Sequence, residues 1–183
     1  MKKTSFLKRI LKGFLALLIL DVGCLIFGAS FISFFNNFFV GILGGIIFAA
    51  FLAISMIGYA YDFGQEDRKL EKRGIPRDTK MSFKLAGTMM VFPLLPWIVL
   101  IANKVGIFSW NFLPIYKLLN SFYIPFMQIF SEDGKIANFP LYGFAILFLL
   151  ILIIPVSIYF GYDFGYRDID LTMKIFYEKN HKQ

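Results

Sequence analysis

The chain has one cysteine, one histidine and little charge: Asp, Glu, Lys and Arg make up 17% of its 183 residues, against 58% hydrophobic. A single Cys, Cys24, excludes an internal disulfide and a thiolate metal cluster. The lone His181 stands near the C-terminus, so Ser–His nucleophiles and His-ligated metals have no raw material within the apolar runs. No glycine loop of Walker type is present, which excludes ATP use through that motif. Asp-Phe-Gly occurs twice, but without the glycine-rich loop, strand lysine and His-Arg-Asp run that a protein kinase needs. No enzyme activity, cofactor or metal is therefore expected.

Lys and Arg are also missing from the long apolar runs. A soluble domain is about half apolar and a quarter charged. Here the apolar excess is gathered into stretches of at least about 18 residues, enough for a helix to cross a hydrocarbon core of about 30 Å. Four such spans are expected, over Gly13–Phe34, Phe38–Ala60, Leu85–Ala102 and Leu141–Gly161, with the hinge Asn36-Asn37 between the first two.

The net charge of +7 raises the question of nucleic acid. Its distribution answers otherwise. Lys2, Lys3, Lys8, Arg9 and Lys12 precede span one, a cluster from Arg68 to Lys84 separates spans two and three, and Arg167, Lys174, Lys179 and Lys182 follow span four. The other connections carry only Lys104, Lys117 and Lys135. Lys and Arg stay on the cytoplasmic side of short loops. Both termini are thus expected in the cytoplasm, the membrane expected is the bacterial cytoplasmic one, and anionic headgroups account for the basic residues without a nucleic acid. The stretch LILDVGC ending at Cys24 resembles a lipoprotein cleavage box, but Asp21 stands where an apolar residue belongs and the apolar run continues, so span one is read as retained.

One phrase occurs twice. Ala60 to Asp67 read AYDFGQED, and Gly161 to Asp168 read GYDFGYRD, each at the end of an apolar run. Ser5-Phe6 before span one and Ser82-Phe83 before span three match more weakly, and the second unit is longer, the excess falling after Ala102. The expected fold is an all-α integral membrane protein: four transmembrane helices as two tandem hairpin repeats, 1–80 and 81–183, plus an interfacial outer helix within about 104–140. In each phrase the small residue and Gly64 or Gly165 are four apart, so one helix face is open to close approach. Tyr61 and Tyr162 suit the headgroup boundary, and Asp62, Asp67, Asp163 and Asp168 can accept hydrogen bonds or pair with Lys and Arg. Asp163 and Arg167, four apart, can pair within one helix, whereas Asp62 faces Glu66. Two readings of the phrase fit: a packing device joining the hairpins, or paired carboxylates that bind an ion, a headgroup or a partner.

Inside the membrane, Asp21 is an isolated ionisable group that needs a proton, a hydroxyl partner, water or a cation from another chain. Gly41, Gly45, Ala49 and Ala53 form a smooth strip on span two, fit for helix packing. Pro93 and Pro96 remove two hydrogen bonds from span three, which predicts a kink or a break, and Pro155 does so more mildly in span four. From Ile107 to Phe130 the chain is too interrupted by Pro114 and Pro125 to span, and Leu118, Phe122 and Phe126 predict a helix lying in the outer interface, with a re-entrant segment as the alternative. The tail DIDLTMKIFYEK predicts a short amphipathic helix with Leu171, Ile175 and Phe176 toward lipid.

The functional expectation is a non-catalytic subunit or scaffold of a membrane complex, contacting the bilayer and other membrane chains or a second copy of itself. The alternative is a small oligomeric transporter or channel using Asp21 and the third span.

Overall fold

The computed structural model describes residues 4–30, 37–76, 78–131 and 133–169. The tail with Leu171, Ile175 and Phe176 lies outside them, as does Asn36 of the hinge. The described residues form helices and no strand. Helix α1 spans Phe6–Ser30, α2 Phe38–Glu71 and α3 Met81–Lys104. Helices α4 (Leu113–Leu119) and α5 (Ile124–Phe130) flank a 3-10 turn at Ser121–Tyr123, and α6 (Leu141–Ile151) with α7 (Ile153–Arg167) forms the last long unit. α1, α2, α3 and the α6–α7 unit are long and apolar enough to cross a membrane. Their outward faces carry exposed Ile19, Phe39, Phe51, Ile54 and Leu149, as acyl chains require.

The helices outrun the apolar windows at the basic end, where α1 begins and α2 and α7 finish. An apolar window marks only the depth of hydrocarbon, while a helix continues as long as its backbone bonds are made. α2, with 34 residues, is roughly 50 Å long at about 1.5 Å per residue. Asn37 caps its start, the side-chain oxygen accepting from Phe39 N (3.1 Å) and Val40 N (3.4 Å). Both repeated phrases consequently lie within helices, save Asp168, which follows the end of α7.

Of the kink and the break that Pro93 and Pro96 predict, the break is absent. α3 runs unbroken through Pro93 and Pro96, although each proline leaves a carbonyl four residues earlier, Met89 and Phe92, without its helical donor. The fourth unit is interrupted at Leu152, just before Pro155. There the Trp97 indole donates to the Phe144 carbonyl at 3.1 Å and its ring lies 5.2 Å from Phe148, tying α3 to α6 beside the interruption.

The core lies among α2, α3, α6 and α7, where Leu52, Met56, Leu85, Met89, Leu147 and Ile158 are fully buried. Its tightest contact is between α2 and α7. A Cβ on Gly64 would come within 3.0 Å of the Tyr162 carbonyl oxygen, one on Gly165 within 3.0 Å of the Tyr61 carbonyl oxygen, and one on Gly161 within 3.0 Å of the Ile57 carbonyl oxygen. The two helices run the same way, since Ile57 meets Gly161 and Tyr61 meets Gly165. Backbone lies against backbone here, and only glycine permits it.

At the opposite end, Asp133 organises the loop before α6. Its carboxylate accepts from Lys135 N (3.0 Å), Ser131 Oγ (3.0 Å) and Asn138 Nδ2 (2.6 Å). The Lys135 backbone N–H leads in holding this carboxyl below its usual range, with the Ser131 and Asn138 bonds adding.

Two predictions follow from these contacts. Gly64→Ala and Gly165→Ala each lower unfolding stability in detergent by about 1–3 kcal/mol, the usual cost of overpacking. Gly58→Ala on the same α2, with open space where its Cβ would stand, is neutral or stabilising. Because the Asp133 pKa is depressed in the fold, its contribution is present above the unfolded carboxyl pKa and lost as pH falls through the folded one. Protection factors for amide exchange at 133–138 should therefore fall at acidic pH, and Asp133→Asn should remove that pH dependence.

Candidate functional site

Two polar clusters are built into the bundle, about 18 Å apart along α1 at about 1.5 Å per residue. One lies at the basic end and contains much of the repeated phrase. Asp67 is buried and takes a two-pronged contact from Arg9, Nη1 to Oδ2 at 2.8 Å and Nη2 to Oδ1 at 2.6 Å. The Tyr162 hydroxyl donates to the same Oδ2 at 2.6 Å, so one phrase's tyrosine bonds the other phrase's aspartate. Arg9 is fully buried, with its guanidinium 5.0 Å from the Phe63 ring centre and Glu66 at 3.7 Å. Thr4 N donates to Glu66 at 2.8 Å, and the Tyr59 hydroxyl to the Arg9 carbonyl at 2.8 Å.

The remaining phrase residues are engaged separately. Tyr61 donates to the Ile169 carbonyl at 3.2 Å and accepts from Gln65 at 3.2 Å. Asp163 pairs with Arg167 at 2.9 Å, as the spacing predicts, while Asp62 is exposed. Asp168, in the left-handed region at φ 60°, pairs with Arg68, and the Tyr166 hydroxyl bonds Glu71. Tyr162 is fully buried rather than anchored at a headgroup boundary, because the close α2–α7 approach turns its ring into the bundle. Among the described residues no three His, Cys, Asp or Glu side chains converge as a metal site.

Sequence reasoning missed Arg9, taking it for one more charge in a basic cluster. The available signal was helical spacing: Arg9, Gly13, Leu17, Cys24 and Gly28 are the buried positions of α1 and share one face. Asp21 lies on that face too, four residues beyond Leu17.

The second cluster forms where the outer segment folds back into the bundle. Instead of one interfacial helix there are two short ones, because Pro114 and Pro125 each begin a new helix, where a missing N–H is harmless. Leu118 is exposed and Phe122 buried, so the expected apolar stripe does not share one environment. The segment's base is held at the end of α3. The buried Asn103 accepts from Phe112 N at 2.8 Å and donates to the Trp110 carbonyl at 2.7 Å, and Lys104 donates to the Ala137 carbonyl at 2.7 Å. Lys117 on α4 bonds Gln128 on α5 at 2.9 Å, bracing the two arms. Phe126 fills the space at Gly45 on α2 and Ile124 that at Gly28 on α1. The small-residue strip of α2 thus serves packing within the chain at Gly45; Gly41 is also buried, and Ala49 and Ala53 are half-buried.

At its turn the segment meets Asp21. Ser121 N donates to Asp21 Oδ1 at 2.6 Å, and Ser121 Oγ lies 2.6 Å from that oxygen and in reach of the Asp21 backbone oxygen. Asp21 stands roughly 22 Å along α1 from Phe6 and roughly 14 Å from Ser30 at about 1.5 Å per residue, so the turn reaches the middle of the helix. Among the described residues Oδ2 accepts no hydrogen bond. Asn120, 1% exposed, has neither amide atom partnered there, and the buried hydroxyls of Tyr116 and Tyr123 are also without partners. A cavity of about 230 Å³ has Asp21, Asn120, Pro93, Pro96 and Phe92 in its wall.

No family model, curated protein or solved structure matches the chain.

The Arg9–Asp67 pair yields a prediction. Removing one partner of a buried, bonded pair costs about 3–5 kcal/mol, because the other charge is left uncompensated. Arg9→Met and Asp67→Leu should each destabilise the detergent-solubilised chain by that amount. The double variant should lose less than the sum, with a coupling of about 1–3 kcal/mol. Additive losses in denaturant melts would show that the pair does not interact.

Proposed function

We propose that the chain is a small carrier of the membrane, acting as an assembly of copies, with its site at Asp21 and the turn 120–123. The observation that carries this reading is the cavity bordered by Asp21 and Asn120, the Asn120 amide being buried and unpartnered among the described residues. Ionisable and unsatisfied polar groups at such depth are expensive, and in membrane proteins they mark substrate and ion routes. Non-helical backbone at that depth is tolerated where it is buried in protein or lines a cavity, and the 121–123 turn meets that condition. Four helices around an inserted segment leave little room for a polar path, which favours self-association. Both termini would face the cytoplasm of a bacterial cell, as the basic end suggests. An ancestral duplication of a hairpin would account for the reciprocal contact of Gly64 with Tyr162 and Gly165 with Tyr61.

A second reading, a non-catalytic subunit of a larger complex, is favoured by a different feature. A groove of about 490 Å³ between α1 and α2, lined by Ile19, Gly23, Phe27, Ile47 and Phe51, offers an almost wholly apolar surface to another membrane helix.

The two readings part on one substitution. In liposomes under an imposed pH gradient, the carrier should accumulate solute from a labelled panel of organic cations, and Asp21→Asn should cut uptake at least tenfold at equal protein incorporation. A wild-type chain that moves nothing and leaves its native membrane in fixed ratio with other proteins would overturn the carrier. In that case Asp21→Asn would weaken complex recovery instead.

A further inference from the structure

The cavity beside the turn has a shape and a chemistry that narrow its ligand. We infer that it binds a lipophilic amine that enters from the bilayer, the amine nitrogen meeting Asp21 and Asn120 and the apolar body lying between α1 and α3. This deepens the carrier reading by naming a substrate class, yet it concerns binding alone and can stand or fall without transport.

Three observations carry it. First, the rim faces lipid. Phe14, Leu18 and Leu119 line the cavity and are 36%, 45% and 54% exposed on a surface that is otherwise apolar. The rings of Phe14 and Phe92, 4.8 Å apart, bring α1 and α3 together beside it. A ligand arriving this way needs an apolar body.

Second, the few polar groups at the cavity are incompletely bonded. Asp21 Oδ1 is occupied by Ser121, but Oδ2 accepts nothing among the described residues. Asn120 is 1% exposed with both amide atoms unpartnered, although buried amides are almost always bonded. Pro93 and Pro96 leave the Met89 and Phe92 carbonyls without helical donors, and Phe92 and both prolines border the cavity. Asp21 Oδ2 is thus an open acceptor at a residue of the wall, and a ligand that donates is favoured.

Third, among the described residues no Lys, Arg or His lines the cavity. An anionic headgroup would meet the Asp21 carboxyl with no compensating cation. An ammonium pairs with the carboxylate form, and a neutral amine accepts from the carboxyl form, so an amine satisfies Asp21 in either state. It also offers N–H donors to the Asn120 oxygen. An alcohol shares the hydrogen bonds and lacks the charge pairing.

The test is equilibrium binding of tritiated dodecylamine to the full chain in lipid nanodiscs, with protein-free nanodiscs as the partition baseline and dodecanol as competitor. Saturable binding at one site per chain is expected, weakened at least tenfold by Asp21→Asn. That variant keeps an oxygen for the Ser121 N–H, and its melting temperature shows whether it is folded. Asn120→Leu, which removes both amide atoms, should weaken binding at least threefold. Gly58→Ala, remote from the cavity, should leave it unchanged. Partition-level binding to folded wild type would overturn the inference, as would equal affinity in wild type and a folded Asp21→Asn. Competition by dodecanol as strong as by unlabelled dodecylamine would overturn the amine assignment. Saturable, Asp21-dependent binding without flux in liposomes would uphold this inference while removing the carrier.

Discussion

Everything in the bundle is hung on the backbone contact between α2 and α7. In a bilayer no hydrophobic effect drives two helices together, because acyl chains are as apolar as leucine, so close packing and shared hydrogen bonds must do it. Glycines at 64, 161 and 165 remove the side chains that would keep the backbones apart. Once the helices touch, the residues just beyond fall into place. Tyr162 reaches Asp67, Asp67 takes Arg9, and Arg9 draws the start of α1 against the pair. The short repeated phrase thus supplies both the approach and most of the groups that fasten it.

Fixing α1 at its basic end determines where Asp21 comes to rest. The buried face of α1 runs from Arg9 through Gly13 to Cys24 and Gly28, and Asp21 is carried on the same face. Gly28 and Gly45 then admit Ile124 and Phe126 of the outer segment, which would otherwise have no room between α1 and α2. The turn at Ser121 is brought to the Asp21 carboxylate, and its backbone N–H and hydroxyl supply two donors.

The sequence made the spans legible because a stretch of hydrocarbon length leaves a plain compositional mark. It made the phrase legible as a packing device, since small residues four apart need no knowledge of the partner helix. Arg9 was hidden by its setting: a basic residue among basic residues looks like topology, and only its register with Gly13 and Leu17 separates it from Lys8 and Lys12. The prolines misled in the opposite direction. Pro93 and Pro96 allow a kink or a break in α3, but loss of a donor breaks a helix only where neighbours fail to hold it, and the visible interruption falls at Leu152 in the fourth unit, near Pro155. The outer segment was ambiguous because apolar spacing shows that a stretch avoids water, without showing whether it avoids it in lipid or in protein.

The two polar clusters differ in completeness, and that difference separates scaffold from site. At the basic end, both oxygens of Asp67 are bonded, one of them twice, and the arginine's two terminal nitrogens are both used. Only the Arg9 Nε is without a partner there among the described residues, so the network holds one geometry and has little left to offer a ligand. At mid-span the same kinds of group are half satisfied: one oxygen of Asp21 is used, and the Asn120 amide and the Tyr116 and Tyr123 hydroxyls are idle. Burial without partners costs about 1–3 kcal/mol for each such group. A fold that needed only to pack could fill these positions with Leu and Phe, which it uses freely elsewhere. Retaining an aspartate and an asparagine at the wall of a cavity is understandable if something enters to complete their bonds.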